Sequence, residues 1–137
     1  RCYVANELSS TVSVFKNREN YLSLVQTVSA LPAGFIGTSY CADIHMSDDG
    51  KIVYVSNRGD QSIAAFPILD DGTLGTPVHV AIQGNWPRNF VLDPSGKYML
   101  VANQRSHNIT IFRIENGIPV FSGKEFKTPS PVCIKFL

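Results

Sequence analysis

Hydrophobic and polar positions alternate along this chain in short runs parted by turn residues. Between residues 42 and 68, one run ends at the polar turn Ser47-Asp48-Asp49-Gly50. A second leads from Ile52 to the corner Asn57-Arg58, and a third closes on Phe66. Period-two runs separated by Gly, Asp and Asn predict a meander of antiparallel strands. The pattern returns at residues 88–114, where Gly96, Asn103 and Phe112 fall on Gly50, Asn57 and Phe66 at a constant offset of 46 residues. A truncated copy opens the chain, with Asn6 and Phe15 nine residues apart, the same spacing as Asn57 to Phe66 and Asn103 to Phe112. A repeat of ~40–50 residues holding four short strands predicts a β-propeller, in which each repeat is a blade that buries its faces only against neighbouring blades.

The predicted fold class is therefore all-β, with blades of four antiparallel strands. Blades are expected at about residues 2–28, 42–82 and 88–127, the first of them lacking an inner strand. Pro119 places the last strand of the third blade at a sheet edge, where a missing N–H is tolerated. Residues 131–137 align with Pro87 onward at an offset of 44 and are predicted to be a terminal, ring-closing inner strand. Closed rings need ~4–8 blades, and 137 residues hold about three. The chain is thus expected to be part of a larger ring whose missing portion precedes Arg1, so the remaining blades of the same protein are its first expected partners.

Composition narrows the function. With 44% hydrophobic and 17% charged residues the chain reads as a folded protein. A net charge of +1 argues against a nucleic-acid footprint, and no apolar stretch approaches the ~20 residues that cross a bilayer. Cys2, Cys41 and Cys133 are odd in number and lack metal-ligand spacing, so they read as free thiols in a reducing compartment, the cytoplasm. No serine-nucleophile elbow, phosphate loop or dinucleotide fingerprint occurs, and neither cofactor nor metal is expected.

Candidate chemistry gathers at one end of the blades. In a four-stranded meander, the turn from second to third strand shares a rim with the crossing into the next blade. That rim collects Asn6-Glu7, Asn57-Arg58 and Asn103-Gln104, together with Asp43, His45, Arg88, Asn89 and the irregular segment 29–41. The repeated Asn is read as a side chain hydrogen-bonding its own corner. The residue after it varies (Glu7, Arg58, Gln104), as expected where function is grafted onto a scaffold. Asp43 and His45 share a strand face, either as a blade-edge hydrogen-bonded pair or as ligands. Arg88 has Ala42 and Val132 as its counterparts, so packing does not demand it. Its fork of donors suits a carboxylate, a phosphate or an oxyanion.

The residues Val4-Ala5-Asn6-Glu7-Leu8, Ala42-Asp43-Ile44-His45, Tyr54-Val55-Ser56-Asn57-Arg58, Pro87-Arg88-Asn89-Phe90 and Ala102-Asn103-Gln104 together resemble the seven-bladed lactonase family. That family includes propeller-type 6-phosphogluconolactonases and carboxy-muconate lactonising enzymes, and the likeness spans nearly the whole chain. It implies hydrolysis of a sugar lactone, first of all 6-phosphogluconolactone, by metal-independent general-base and oxyanion chemistry. Muconate lactonisation and a non-catalytic binding propeller are the alternatives. The family pattern implies Glu7 and Arg88 as catalytic, with Arg58, Asp43, His45, Asn89 and Gln104 as candidates for holding a small phosphorylated or carboxylated lactone. It also implies a His and an Arg from earlier blades, so this stretch alone is not expected to carry the reaction. The segment around Phe35 is expected to cover the ligand.

Overall fold

The computed structural model describes all of residues 1–137 and contains eleven strands and no helix. Strands β1 (Cys2–Asn6), β2 (Thr11–Arg18) and β3 (Tyr21–Ser29) form a three-stranded antiparallel sheet. A second sheet follows in the order β4 (Tyr40–Met46), β5 (Ile52–Arg58), β6 (Ser62–Pro67) and β7 (Val78–Ala81). The third comprises β8 (Pro87–Leu92), β9 (Tyr98–Asn103), β10 (Asn108–Glu115) and β11 (Ile118–Lys127), again as a meander. The all-β prediction holds, and Pro119 lies on the edge strand β11.

The 46-residue repeat is visible in the turns. Gly50 and Gly96 adopt φ of 68° and 67°, a region in which a Cβ is costly. Each closes its turn through an N–H to a carbonyl three residues earlier, Ser47 at 2.9 Å and Asp93 at 2.8 Å.

The middle sheet is buried on both faces. Val53, Val55, Ala64 and Phe66 pack toward Val12 and Val14 of the first sheet. Their neighbours Tyr54, Ile63 and Ala65 point the opposite way, onto Phe90, Met99 and Phe112 of the third. Strand alternation thus lets one sheet serve two cores, and each fully buried large side chain contributes ~1.5–3 kcal/mol. On the outer sheets, Leu22 and Leu24 of β3 and Phe121 and Phe126 of β11 stay exposed.

Residues 131–137 form no ladder with the strands of this chain. Their tie to the third sheet is the Ile134 N–H, which donates to Asn89 Oδ1 at 2.7 Å. Phe35 lines a groove with Ser29, Pro77 and His79 at the outer edge of the second sheet, away from the rim cleft. The far end of that connection instead seals the β5–β6 corner. Ser39 Oγ donates to the Arg58 carbonyl at 3.0 Å, and a Cβ on Gly59 (φ 118°) would sit 2.2 Å from the Thr38 carbonyl oxygen.

Candidate functional site

The site is built from a defect repeated in two inner strands. Along β8, Pro87 pairs with Asn103 and Asn89 with Ala102, so Arg88 is the unpaired residue of a β-bulge. Along β4 the ladder likewise breaks between Cys41, opposite Asn57, and Ile44, opposite Val55. A bulge frees a side chain from the alternation of its strand and re-aims it. Arg88 is exposed and faces a cleft of about 440 Å³, and its side chain makes no hydrogen bond or ion pair within the chain.

Three sheets contribute to that cleft, which is lined by Glu7, Asp43, Arg58, Arg88 and Asn89 together with Ala5, Cys41, Ala42 and Val132. Glu7 stands on the β1–β2 corner, and its backbone carbonyl accepts from the Cys41 N–H at 3.2 Å, joining the first sheet to β4. Arg58 Nη2 donates to Glu7 Oε1 at 2.5 Å and to the Cys41 carbonyl at 3.0 Å. The pair is asymmetric: the Arg58 side chain is 8% exposed and that of Glu7 is 61% exposed. Arg58 therefore lies beneath Glu7, not out on the open rim. Its guanidinium carbon is 5.4 Å from the Trp86 ring centroid and 5.9 Å from that of Tyr40, a cation–π setting that offsets part of the cost of burying the charge. Burial pushes the adjacent Cys41 thiol up to about 11 against the opposing pull of Arg58, which leaves it protonated and unreactive at neutral pH.

Asp43 and Asn89 form the floor and clamp adjacent sheets. Asp43 Oδ2 accepts from His45 Nε2 at 3.0 Å, Asn89 Nδ2 at 2.6 Å and the Phe90 N–H at 3.2 Å. One repeat on, Asn89 Oδ1 accepts the Ile134 N–H, so the same place in each of the two inner strands grips the next segment. Burial works to raise the Asp43 pKa, but the hydrogen bond and charge of His45 and the N–H groups of Phe90 and Ile44 outweigh it, and the carboxyl lies below its ordinary value of 3.8. A lowered folded-state pKa stabilises above the unfolded value and is lost as pH falls through the folded one. The stability advantage of the wild type over Asp43→Asn is accordingly expected to be full above about pH 5 and to shrink as pH drops below about 4. Urea unfolding midpoints of the two proteins between pH 2 and 6 check this, and a constant difference would contradict it.

The remaining predicted residues stand apart from the cleft. His45 packs its ring edge-on to Phe90, with centroids 4.8 Å apart, and faces a separate groove with Tyr3 and Ile44. Gln104 does not line the cleft; its backbone N–H donates to the Trp86 carbonyl at 3.0 Å. The corner Asn residues are structural. Asn6 donates to Thr11 and Ser13, Asn57 to Ser62 and to the Ala30 carbonyl, and Asn103 to Thr110. Sequence reasoning overlooked Tyr40 and Trp86, although the single Trp of the chain stands two residues before Arg88. No three His, Cys, Asp or Glu side chains cluster closely enough to hold a metal ion, and no helix is long and apolar enough to cross a membrane.

A family model described as lactonase, 7-bladed beta-propeller, matches residues 1–136. A 6-phosphogluconolactonase of Bacillus subtilis is 36% identical over 98% of this chain, which spans 40% of that protein's length. Among solved structures, a protein from Lactobacillus plantarum superposes with a TM-score of 0.94 at 31% identity, covering 98% of this chain and 41% of that one. A structure described as the periplasmic gluconolactonase of Pseudomonas aeruginosa gives a TM-score of 0.90 at 29% identity, covering 100% of this chain and 42% of the other.

Proposed function

Because the chain belongs to the seven-bladed β-propeller lactonase family, we propose that its cleft serves the hydrolysis of a sugar lactone, with 6-phosphogluconolactone as substrate. The observation that carries this reading is the meeting of Glu7, Arg58 and Arg88, from three sheets, around one polar cleft in which Arg88 has no partner. The substrate itself is suggested by the naming of the Bacillus subtilis relative.

In the proposed reaction, the lactone carbonyl lies against Arg88, whose guanidinium supplies charge and donors as the carbonyl oxygen becomes an oxyanion. Glu7 Oε1 is held by Arg58, while Oε2 has no partner in the chain and takes a proton from the attacking water. The water oxygen bonds to the carbonyl carbon. Collapse of the tetrahedral intermediate then breaks the bond to the ring oxygen, which receives the proton and departs as a hydroxyl. No step calls on a metal. Arg58, neutralised by Glu7 and covered by two aromatic rings, positions the base.

Further blades of the same protein complete the ring in this reading. The family description names seven blades, and exposed Leu22, Leu24 and Phe126 await covering neighbours. The three free thiols favour the cytoplasm as the compartment. The test is acid release by the complete protein on 6-phosphogluconolactone, with mass analysis of the product. A product carrying one added water supports hydrolysis. A ring closure without change of formula, or no turnover of any lactone, overturns it.

A further inference from the structure

Outside the cleft, the least ordinary piece of backbone is the connection 83–86. Trp86 adopts φ of 67°, in the left-handed region where a bulky residue is strained and persists only when its surroundings over-determine it. Here they do so from both sides. The Trp86 N–H donates to Gln61 Oε1 at 2.8 Å, and its carbonyl accepts from the Gln104 N–H at 3.0 Å. Next to it, the Asn85 N–H donates to Ser106 Oγ at 2.8 Å, and the Asn85 carbonyl accepts from the Arg105 N–H at 3.1 Å. The corners of the second and third sheets thus hold the backbone that carries the indole in a fixed place.

What the indole carries is a second arginine. The Arg105 guanidinium carbon lies 3.4 Å from the Trp86 ring centroid, in van der Waals contact, against 5.4 Å for Arg58. Stacking occupies the face of a guanidinium and leaves its N–H donors in the plane, where a bidentate anion is bound. Arg105 is exposed, and no side chain or carboxylate of the chain takes those donors. Arg58 spends its charge on Glu7. The uncommitted cations at this end of the second and third sheets are therefore Arg88, which faces the cleft, and Arg105, whose platform stands two residues before Arg88 in the chain and hence within ~7 Å of it, Cα to Cα.

We propose that Arg105, pre-organised on Trp86, is a specificity-determining residue that binds a non-reacting anionic group, the phosphate, at the far end of the lactone substrate. The two arginines then divide the work: Arg88 answers charge that appears during the reaction, while Arg105 holds charge present throughout. A contact made equally in ground and transition states strengthens binding without accelerating chemistry.

This inference rests on the hydrolase reading, so its test has two arms. In the complete protein, Arg105→Ala is expected to lower kcat/KM for 6-phosphogluconolactone about 10- to 100-fold, chiefly through KM, and to change kcat/KM for unphosphorylated gluconolactone less than about twofold. Equal losses on both substrates, or none on either, would overturn it. The second arm needs no turnover: by calorimetry, wild type should bind 6-phosphogluconate more tightly than gluconate, and Arg105→Ala should erase that preference. If wild type shows no preference, or the variant keeps it, the phosphate site is refuted even where hydrolysis stands. If the preference exists and is lost in the variant while no lactone turns over, the phosphate site survives and the hydrolase reading fails. Trp86→Phe, which keeps a ring beneath the guanidinium, should retain most of the discrimination.

Discussion

Glu7→Gln in the complete protein is expected to lower kcat/KM for lactone hydrolysis about 10²- to 10⁴-fold, the range for removing a positioned general base. The substitution is chosen because the amide oxygen can still accept from Arg58 Nη2, as Glu7 Oε1 does now, so the side chain keeps its place and loses only the capacity to take a proton. The Glu7 side chain is 61% exposed, and surface changes of this kind usually alter stability within ±0.5 kcal/mol. A fall in rate with an unchanged melting temperature thus reports chemistry, not folding. Unchanged kcat/KM would remove Glu7 from the mechanism. Arg58→Gln should mimic part of the loss by freeing the carboxylate to wander, at a greater cost in stability because Arg58 is buried between sheets.

Arg88→Ala carries the second large effect, a loss of about 10²- to 10³-fold, or ~3–4 kcal/mol of transition-state stabilisation. The residue sits in a bulge, outside the ladder and without a partner, so the fold should not register its removal. If the guanidinium answers charge that appears only in the transition state, kcat and kcat/KM should fall together while KM changes little. Arg88→Lys should recover part of the rate, since it keeps the charge and loses the fork. A rise in KM alone, with kcat intact, would show that Arg88 merely binds substrate and would exchange its role with that proposed for Arg105.

The blades were legible because their cause is local. Alternation of Val53, Tyr54 and Val55, turns closed by Gly50 and Gly96, and a constant offset between copies are all properties of neighbouring residues. The shared end of Glu7, Arg58 and Arg88 was legible too, since it follows from strand reversal alone. What depends on contacts between sheets was not. Arg58 reads as an exposed corner residue until Tyr40 and Trp86 are folded against it. Asp43 reads as half of a surface pair with His45, yet its carboxylate ties one inner strand to the next. Phe35 reads as a lid, but its segment runs to the outer edge of the second sheet. The bulges left no local mark at all, because residues 41–44 and 87–90 continue the strand pattern without a Gly or an extra Pro to announce a slip.

The bulged position has a further meaning for how such a protein changes over generations. The two bulges hold Ala42 and Arg88 at equivalent places, a methyl in one and a guanidinium in the other, and both line the same opening. A scaffold that releases a side chain at each of these two bulges from the ladder offers an address where mutation is nearly free of penalty to the sheet packing behind it. New substrates can then be tried by changing single side chains at this opening, without disturbing the strands that support it.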